Sequence, residues 1–177
     1  FFVTNTHPDY QNMIAEEAKR GHTVAIHSAS HKYSQIYTSE QAFFDDLEQM
    51  NSIIKALTGN DASIIRFPGG SSNTVSKDYC PGIMTQLVND VTARGLLYCD
   101  WNVSSGDANS KPISTEQVVQ NVISGVQSHN VSVVLQHDIK DFSVNAVEQI
   151  IQWGQANGYT FLPLTTSSPM SHHRVNN

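Results

Sequence analysis

Basic residues and cysteine are both scarce in this chain. Ten Lys and Arg stand against 16 Asp and Glu, which gives the 177-residue chain a net charge of -6 at pH 7. No run of basic residues could neutralise a phosphate backbone, so nucleic acid is not expected as a partner. The two cysteines, Cys80 and Cys99, are too few for a disulfide framework and lack the spacing of a metal site. We interpret them as core or loop thiols, although a pairing stays possible.

Long apolar runs are absent as well. No stretch approaches the roughly 20 apolar residues that span a bilayer, and no charged segment followed by an apolar one opens the chain. We therefore expect a soluble chain without a membrane span. A hydrophobic fraction of 39% is enough for a sizeable core, and no linker, internal repeat or low-complexity stretch interrupts the sequence. The sequence accordingly predicts one domain over residues 1–177, and a monomer is the expected assembly.

Apolar, β-rich runs alternate with helical patterns along the chain. Apolar residues at helical spacing, bounded by capping residues such as Ser39 and by glycines such as Gly59, predict a series of helices. The helices cover residues 8–20, 38–59, 82–94, 114–128 and 144–157. The predicted strands cover residues 1–4, 22–26, 63–67, 96–103, 131–136 and 159–164. The run 131–136 is almost continuously apolar, which is typical of a buried parallel strand.

This alternation determines the expected fold class. Strands separated by helices of about ten or more residues favour right-handed β–α–β crossovers, so the sequence predicts an α/β fold with a parallel sheet and helices outside it. In such folds the functional residues gather at the carboxyl ends of the strands. Unusual polar residues do follow the predicted strands: His27, His31, Arg66, Asp100, Trp101, His137 and Asp138.

Two motifs place histidines directly after strands. The sequence HSASH sets His27 and His31 four residues apart, so both imidazoles could reach one metal ion if the segment coils into a turn. The alternative is two loop histidines bonded to backbone or water. The sequence LQHD brings His137 out of the run 131–136, where an imidazole suits a general acid or base near neutral pH. A core histidine with satisfied hydrogen bonds is the alternative there.

Two further motifs follow the neighbouring strands. The sequence RFPGG places Arg66 where it could hold a buried carboxylate, ahead of glycines that let backbone N–H groups approach a ligand. The alternative is an ordinary Gly-rich turn with a surface Arg. The sequence DWN places Asp100 where burial would require a partner, such as Arg66 or an imidazole, and Trp101 where it could line a sugar ring. The alternative is a core Trp beside a solvated Asp.

The order of the motifs is more specific than any one of them. HSASH, RFPGG, DWN and LQHD resemble motifs two to five of the polysaccharide deacetylases, the NodB-like carbohydrate esterase family 4, and FFVT is similar to the strand before the second motif. The resemblance covers nearly the whole chain. It implies a distorted (β/α)7-type barrel of the NodB or polysaccharide deacetylase fold, with the first β/α unit absent from this chain.

The resemblance implies roles for the matching residues. His27 and His31 would bind a divalent metal, most commonly zinc in this family. Arg66 would orient the catalytic base, and the backbone N–H at Gly69 would help to hold the oxyanion.

The fourth and fifth motifs complete the implied site. Asp100 would tune the catalytic histidine, and Trp101 would line the substrate groove. Leu135 would line the acetyl pocket, and His137 would act as the general acid. Together with Arg66 and the metal ligands, these residues form the expected active site.

One family motif has no match in this chain. Family members begin with an acidic Thr-Phe-Asp-Asp type segment that supplies the base and the third metal ligand, and nothing before His27 resembles it. Asp9 is a lone acid in a turn-like context and is not assigned a role. Residues 1–4 already form an apolar strand without an upstream partner or cap. We therefore expect the chain to be a fragment, with the acidic segment upstream of Phe1.

The activity implied by the resemblance is metal-dependent hydrolysis of N-acetyl groups on N-acetylglucosamine units of a polysaccharide, with release of acetate. Peptidoglycan is the preferred substrate, because the stretch from His31 through Tyr33, Tyr37 and Phe44 is similar to bacterial cell-wall members. Chitin oligomers, acetylxylan and a non-catalytic glycan-binding remnant stay open as alternatives. A secreted or cell-wall-associated bacterial protein is implied.

Overall fold

The computed structural model describes residues 1–109 and 111–177. The chain divides into two units, the first formed by residues 1–100 and 163–177 and the second by residues 101–162. The first unit contains one parallel sheet in the order β1-β2-β3-β4. Its strands are β1 (Phe2–Thr4), β2 (Ala25–Ser28), β3 (Ile64–Ile65) and β4 (Leu97–Tyr98).

Helices connect successive strands of the first sheet. They are α1 (Asn12–Lys19), α2 (Tyr33–Ile36), α3 (Glu40–Thr58) and α4 (Ile83–Ala93), with short 3-10 helices at Pro8–Tyr10 and Val75–Asp78. Because a parallel pair cannot be joined by a tight turn, each crossover contains at least one of these helices. The four carboxyl ends of the strands therefore lie on the same edge of the sheet.

Helix α3 shows how local sequence determines an element of the first unit. Its first turn is capped by Ser39, whose Oγ accepts a hydrogen bond from Ala42 N at 3.1 Å, and it ends at Gly59, which adopts the left-handed conformation with φ 79°. Its apolar face packs into the main core. The core residues from α3 are Phe43, Phe44, Leu47, Met50 and Ile54.

The second unit is smaller and has its own sheet. Strands β5 (Val103–Ser104) and β6 (Val134–Leu135) form a parallel pair. Helices α5 (Thr115–Val126), α6 (Asp141–Val144) and α7 (Val147–Ala156) complete the unit. Helix α5 is capped by Ser114, whose Oγ accepts from Gln117 N at 3.2 Å. Its core consists of the buried residues Val118, Val119, Val122, Ala146 and Ile150.

The C-terminal residues 163–177 pack against residues 1–100 within the first unit. The backbone N–H of Asp100 donates to the carbonyl of Ser171 at 2.7 Å, and the His172 ring stacks on Tyr98 with centroids 4.0 Å apart. Helix α4 has no capping side chain of its own at Gly82, but the Oδ1 of Asn177 accepts the Gly82 N–H at 2.8 Å. A residue distant in sequence thus caps this helix.

The structure confirms parallel strands separated by helices but corrects three predicted strands. Residues 159–164 form no strand within the described part of the chain, and Leu162 is 80% exposed there. The run 96–103 is interrupted, since β4 ends at Tyr98 and β5 begins at Val103 in the other sheet. The run 131–136 is only half-buried, and Val131 is 55% exposed. Apolar composition alone does not supply the pairing partner that a strand requires.

Helices α2 and α6, four residues each, were not predicted, because single turns lack a periodic pattern. Cys80 is half-buried, Cys99 is buried, and both are free thiols, as interpreted from the sequence. In the ranges that the structure covers, no helix combines the length and the apolar character needed to cross a bilayer.

Candidate functional site

His27 and His31 lie side by side at the carboxyl end of β2. Their ring centroids are 5.0 Å apart, with the planes inclined at 44°. The Nδ1 of His27 lies 2.7 Å from the backbone carbonyl of Arg66. Since a carbonyl only accepts, His27 donates from Nδ1, and its lone pair is therefore on Nε2. The predicted proximity of the two imidazoles is present in the structure.

This arrangement fits part of a zinc site. A histidine that binds metal through one ring nitrogen commonly donates the other N–H to a carbonyl, as His27 does to Arg66. His31 adds a second imidazole, and imidazole nitrogen is a preferred zinc ligand. Among residues 1–109 and 111–177, however, no group of three or more His, Cys, Asp or Glu side chains could hold a metal ion. The described residues thus offer two ligands of the kind that zinc binds.

Arg66 is buried at the end of β3 and connects two strand ends. Its Nε donates to the carbonyl of Cys99 at 2.8 Å, and its Nη2 donates to the backbone carbonyl of Asp100 at 2.9 Å. The guanidinium also lies 3.9 Å from the centroid of the Phe2 ring. Burial lowers the pKa of Arg66, and the side chains of Cys99 and, to a smaller extent, Asp100 partly oppose that shift. The predicted meeting of Arg66 with Asp100 occurs through the backbone of Asp100.

The glycine-rich loop after β3 is shaped by close packing. Gly69 has φ 78°, and a Cβ added at this position would lie 2.6 Å from the Oη of Tyr33, so a larger residue would be strained and would clash. Gly70 N donates to the carbonyl of Phe67 at 2.7 Å. Gly69 is exposed, and its N–H has no acceptor among the described residues. This backbone donor is therefore not used by another described residue.

Asp100 is fully buried, and its carboxylate holds this loop and the C-terminal segment. Oδ1 accepts from Ser71 N at 2.8 Å, and Oδ2 accepts from Ser71 Oγ at 2.5 Å and from His173 N at 2.9 Å. His173 in turn lies 3.0 Å from Ser72 Oγ through its Nδ1. The expected imidazole partner of Asp100 was His137. The partners found for its carboxylate are Ser71 and His173 instead.

His137 has a different carboxylate partner, Asp107. The Nδ1 of His137 lies 2.8 Å from Asp107 Oδ1, and the backbone N–H of His137 donates to Oδ2 at 2.6 Å. Ser143 Oγ donates to the same Oδ2 at 2.7 Å, and Lys140 Nζ bonds the Asp107 carbonyl. Asp107 is buried, whereas the His137 side chain is 37% exposed. The imidazole is therefore held at one edge while the ring remains accessible.

The surroundings of Asp107 determine its ionisation. Burial by itself would raise the pKa of Asp107, but hydrogen bonds from Ser143 and His137 outweigh that effect and lower the pKa. Asp107 is thus a carboxylate at neutral pH. Sequence reasoning missed it because DWN drew attention to Asp100. The available signal was an acid three residues after the end of β5, the position that marked the other candidates.

The remaining predicted site residues lie in the second unit. Leu135 is half-buried in β6, and Trp101 is half-buried just before β5. Asn102, the third residue of DWN, aligns the two strands: its Nδ2 donates to the carbonyl of Val131 at 2.9 Å, and its Oδ1 accepts from Val133 N at 2.7 Å. The predicted contacts of Trp101 and Leu135 with a substrate stay predictions.

Comparison with known proteins identifies sequences that are similar to this chain. A sequence model described as polysaccharide deacetylase matches residues 1–80. Among curated proteins the chain is 27% identical, over 165 residues, to a peptidoglycan-N-acetylglucosamine deacetylase of Bacillus cereus. That match covers 91% of this chain and 57% of the relative, so the chain spans less than two thirds of the relative's length.

Solved structures extend the comparison. The catalytic domain of peptidoglycan N-acetylglucosamine deacetylase from Eubacterium rectale is 98% identical, with a TM-score of 0.99, over 100% of this chain and 80% of that chain. A polysaccharide deacetylase from Bacillus cereus is 23% identical with a TM-score of 0.78, over 97% of this chain and 81% of that chain, and has the same fold. The predicted α/β fold class is confirmed.

Proposed function

The chain belongs to the polysaccharide deacetylase family, the NodB-like carbohydrate esterase family 4, and from that premise we propose that it hydrolyses N-acetyl groups on N-acetylglucosamine units of peptidoglycan. The products are acetate and a free amino sugar. The observation that carries the proposal is 98% identity, along the whole chain, to the catalytic domain of a protein named for this activity. The alternative substrates are chitin oligomers, which carry N-acetyl amides, and acetylxylan, whose O-acetyl esters would release a hydroxyl group in place of the amine.

A divalent metal, zinc in this proposal, would be held by His27 and His31. When bound, such an ion polarises an amide carbonyl and lowers the pKa of a bound water. The support from this chain is the 5.0 Å separation of the two rings and the hydrogen bond from His27 Nδ1 to the Arg66 carbonyl. That bond orients Nε2 of His27 as the ligand atom.

His137 is the general acid of the proposed reaction. It gives a proton to the leaving amine nitrogen as the carbon–nitrogen bond breaks, which avoids expulsion of an amide anion. Asp107 supports this role, because its carboxylate lies 2.8 Å from the Nδ1 of His137 and stabilises the protonated imidazole. Ser143 and the His137 backbone N–H hold that carboxylate in place.

Backbone groups of the RFPGG loop stabilise negative charge in this proposal. The Gly69 N–H has no acceptor among the described residues and lies on a loop whose shape is constrained by Gly70, Tyr33 and Asp100. A pre-oriented donor of this kind costs no reorganisation when an oxyanion develops. Arg66 contributes by fixing the ends of β3 and β4 through the carbonyls of Cys99 and Asp100.

The remaining assignments complete the proposal. Trp101 offers an aromatic surface to a sugar ring, and Leu135 offers an apolar wall to the acetyl methyl group. The chain acts as a monomer on a polysaccharide substrate. Because peptidoglycan lies outside the cytoplasmic membrane, the protein is secreted or associated with the cell wall.

A second candidate function is glycan binding without catalysis. The observation that favours it is the absence of a three-ligand metal group within residues 1–109 and 111–177. Loss of a metal ligand lowers metal affinity, and loss of the base removes the group that activates water. Binding alone would still use Trp101 and the apolar surface near Leu135.

Acetate release separates the two functions. The full-length protein is incubated with N-acetylglucosamine oligomers, peptidoglycan, chitin oligomers and acetylxylan, each with and without zinc, and binding to the same glycans is measured in parallel. We expect zinc-dependent acetate release that is highest on peptidoglycan-type substrates and falls about 10²- to 10⁴-fold in His137→Ala. Binding without acetate release above that of His137→Ala would favour the second function.

A further inference from the structure

Asp46 connects helix α3 to the histidine loop, which we define as residues 27–31. Its Oδ1 accepts from Ser28 Oγ at 2.6 Å and from Ala29 N at 2.9 Å, and its Oδ2 accepts from Ser30 N at 2.8 Å. One carboxylate therefore binds three successive residues between the two histidines. No motif in the sequence includes Asp46, since it lies 15 residues beyond His31 in an ordinary amphipathic helix.

Hydrogen bonds link Asp46 to His31 through Ser28. The backbone N–H of His31 donates to Ser28 Oγ at 2.8 Å, and that hydroxyl donates its own proton to Asp46. His31 has φ 53°, and it is the one non-glycine residue with positive φ among residues 1–109 and 111–177. Positive φ is uncommon for non-glycine residues, and it persists where surrounding contacts hold it. The hydrogen bonds from Ser28 and Asp46 are such a constraint.

The left-handed turn has a consequence for the two imidazoles. It reverses the chain after Ser30 so that the His31 ring lies 5.0 Å from the ring of His27. Asp46 can impose the turn because its own helix is immobilised, with Phe43, Leu47 and Met50 buried in the core. Asp45, the preceding residue, is exposed, and among the described residues its side chain accepts a hydrogen bond only from Gln41. The two neighbouring acids thus differ in their contact with the loop.

We propose that Asp46 is a positioning residue for metal binding: it holds the histidine loop in the left-handed turn that brings His31 beside His27. The inference rests on the proposed function for the identity of the metal site. What the inference adds is that a carboxylate outside every family motif determines how well the two imidazoles are prearranged to bind a metal ion. A loop that must be ordered by the metal itself binds more weakly, because part of the binding free energy is used for ordering.

Zinc titration of the metal-free chain tests the proposal. Asp46→Asn keeps the size of the side chain but leaves one acceptor oxygen in place of two. We expect it to lower zinc affinity about 10- to 100-fold, the effect typical of residues that orient metal ligands. Asp45→Asn, the matched control, should bind zinc like the wild-type chain. Cobalt titration should show an altered visible absorption band in Asp46→Asn, since the band reports ligand geometry.

A purely structural role for Asp46 is tested by Ile54→Val. This change lies in the same helix, at a side chain that is 1% exposed, and it lowers stability without touching the loop. We expect it to lower the melting temperature and to leave zinc affinity unchanged. Equal zinc affinity in Asp46→Asn and wild type would overturn the proposal. So would an affinity loss in Ile54→Val that matches the loss in Asp46→Asn at equal destabilisation.

Amide hydrogen exchange without metal separates this inference from the proposed function. Asp46→Asn should speed exchange at Ala29, Ser30 and His31, whereas Asp45→Asn should not. If the wild-type chain fails to bind zinc while this exchange difference is present, the metal assignment is wrong and the loop-ordering role of Asp46 is supported. Unchanged exchange in Asp46→Asn would contradict the loop-ordering role whatever the metal result.

Discussion

The two units of the chain hold their candidate residues in different ways. In the first unit, the histidine loop and the RFPGG loop are fixed mainly by backbone groups, which bond to Asp46, Asp100 and Arg66 around a four-stranded sheet. In the second unit, His137 is fixed chiefly by one carboxylate, Asp107, next to a two-stranded sheet. The first arrangement distributes its constraints over many groups, while the second depends on a single residue.

The hydrophobic cores of the two units also differ, and the larger buried side chains lie in the first unit. The larger core contains fully buried aromatic and aliphatic side chains such as Phe67, Met84 and Leu87, whereas the smaller consists mostly of valines around α5. Buried apolar area scales with the size of the side chains, so each residue of the first core contributes more to stability. The comparison predicts that truncating a core side chain costs more in the first unit, where the buried side chains are larger.

The largest expected effect is on the proposed general-acid role of His137 in the second unit. Asp107→Asn removes the charge that stabilises protonated His137 and should lower kcat about 10²-fold, within the range that a general acid contributes. Asp100→Asn, the matched change in the first unit, should leave the pH dependence of the rate unchanged, because the Asp100 carboxylate bonds Ser71 and His173. The measurement is kcat against pH for acetate release. If the pH dependence of kcat changes in Asp100→Asn and stays normal in Asp107→Asn, the carboxylate that supports His137 is not Asp107.

Core truncation should rank next. Leu87→Ala, at a fully buried position of the first unit, is expected to cost about 2–5 kcal/mol of unfolding free energy. Val122→Ala, at 1% exposure in the second unit, removes two carbon atoms instead of three and should cost about 1–2 kcal/mol at roughly 0.8 kcal/mol per carbon plus a small cavity. Urea unfolding of both variants measures the two losses of unfolding free energy. A larger cost for Val122→Ala would refute the proposed difference between the cores.

Crowding at Gly69 tests the backbone-dominated site of the first unit. Gly69→Ala adds a Cβ 2.6 Å from Tyr33 Oη at a positive φ, and we expect a loss on the order of 1–3 kcal/mol. Tyr33→Phe removes the opposing hydroxyl and should recover part of the loss in the double variant. Thermal unfolding of the two single variants and the double variant measures this coupling. If the stability changes of the two single variants simply add in the double variant, the clash contributes nothing to the loss of stability.

Acid should weaken the second unit through Asp107. The folded pKa of Asp107 is lowered, so its ionised form stabilises the fold above the unfolded pKa of about 3.9, and that stability is lost as pH falls through the folded pKa. We therefore expect a steep loss of stability below about pH 4 that is reduced in Asp107→Asn. Unfolding free energies measured from pH 3 to pH 7 test this. Parallel curves for the two chains would contradict the assignment.

The smallest expected effect is also the one that should be equal in both units. Ser39→Ala and Ser114→Ala each remove one capping hydrogen bond, to Ala42 N and Gln117 N respectively, and each should cost about 1 kcal/mol. Equality is expected because a cap acts within one helical turn. Urea unfolding measures both costs. If the two costs differ by well above about 1 kcal/mol, the contribution of a capping residue depends on its tertiary surroundings.

Much of the helical structure was predictable because its signals are local. Helix α3 starts after Ser39 and ends before Gly59, and α5 starts after Ser114, as the capping residues indicate. The proximity of His27 and His31 also followed from short spacing after a strand. Strand lengths were overestimated, since a strand ends where its partner ends rather than where its apolar residues end.

The sequence by itself determined the α/β class, the principal helix boundaries and the positions of the candidate histidines, because these depend on residues within one or two turns of each other. Only the tertiary structure decided which carboxylates serve those residues: Asp107 bonds His137 across 30 positions, and Asp46 reaches Ser28 across 18. Hydrogen bonds between distant segments depend on how the elements pack, and an acid in a periodic pattern carries no mark of the partner it will meet.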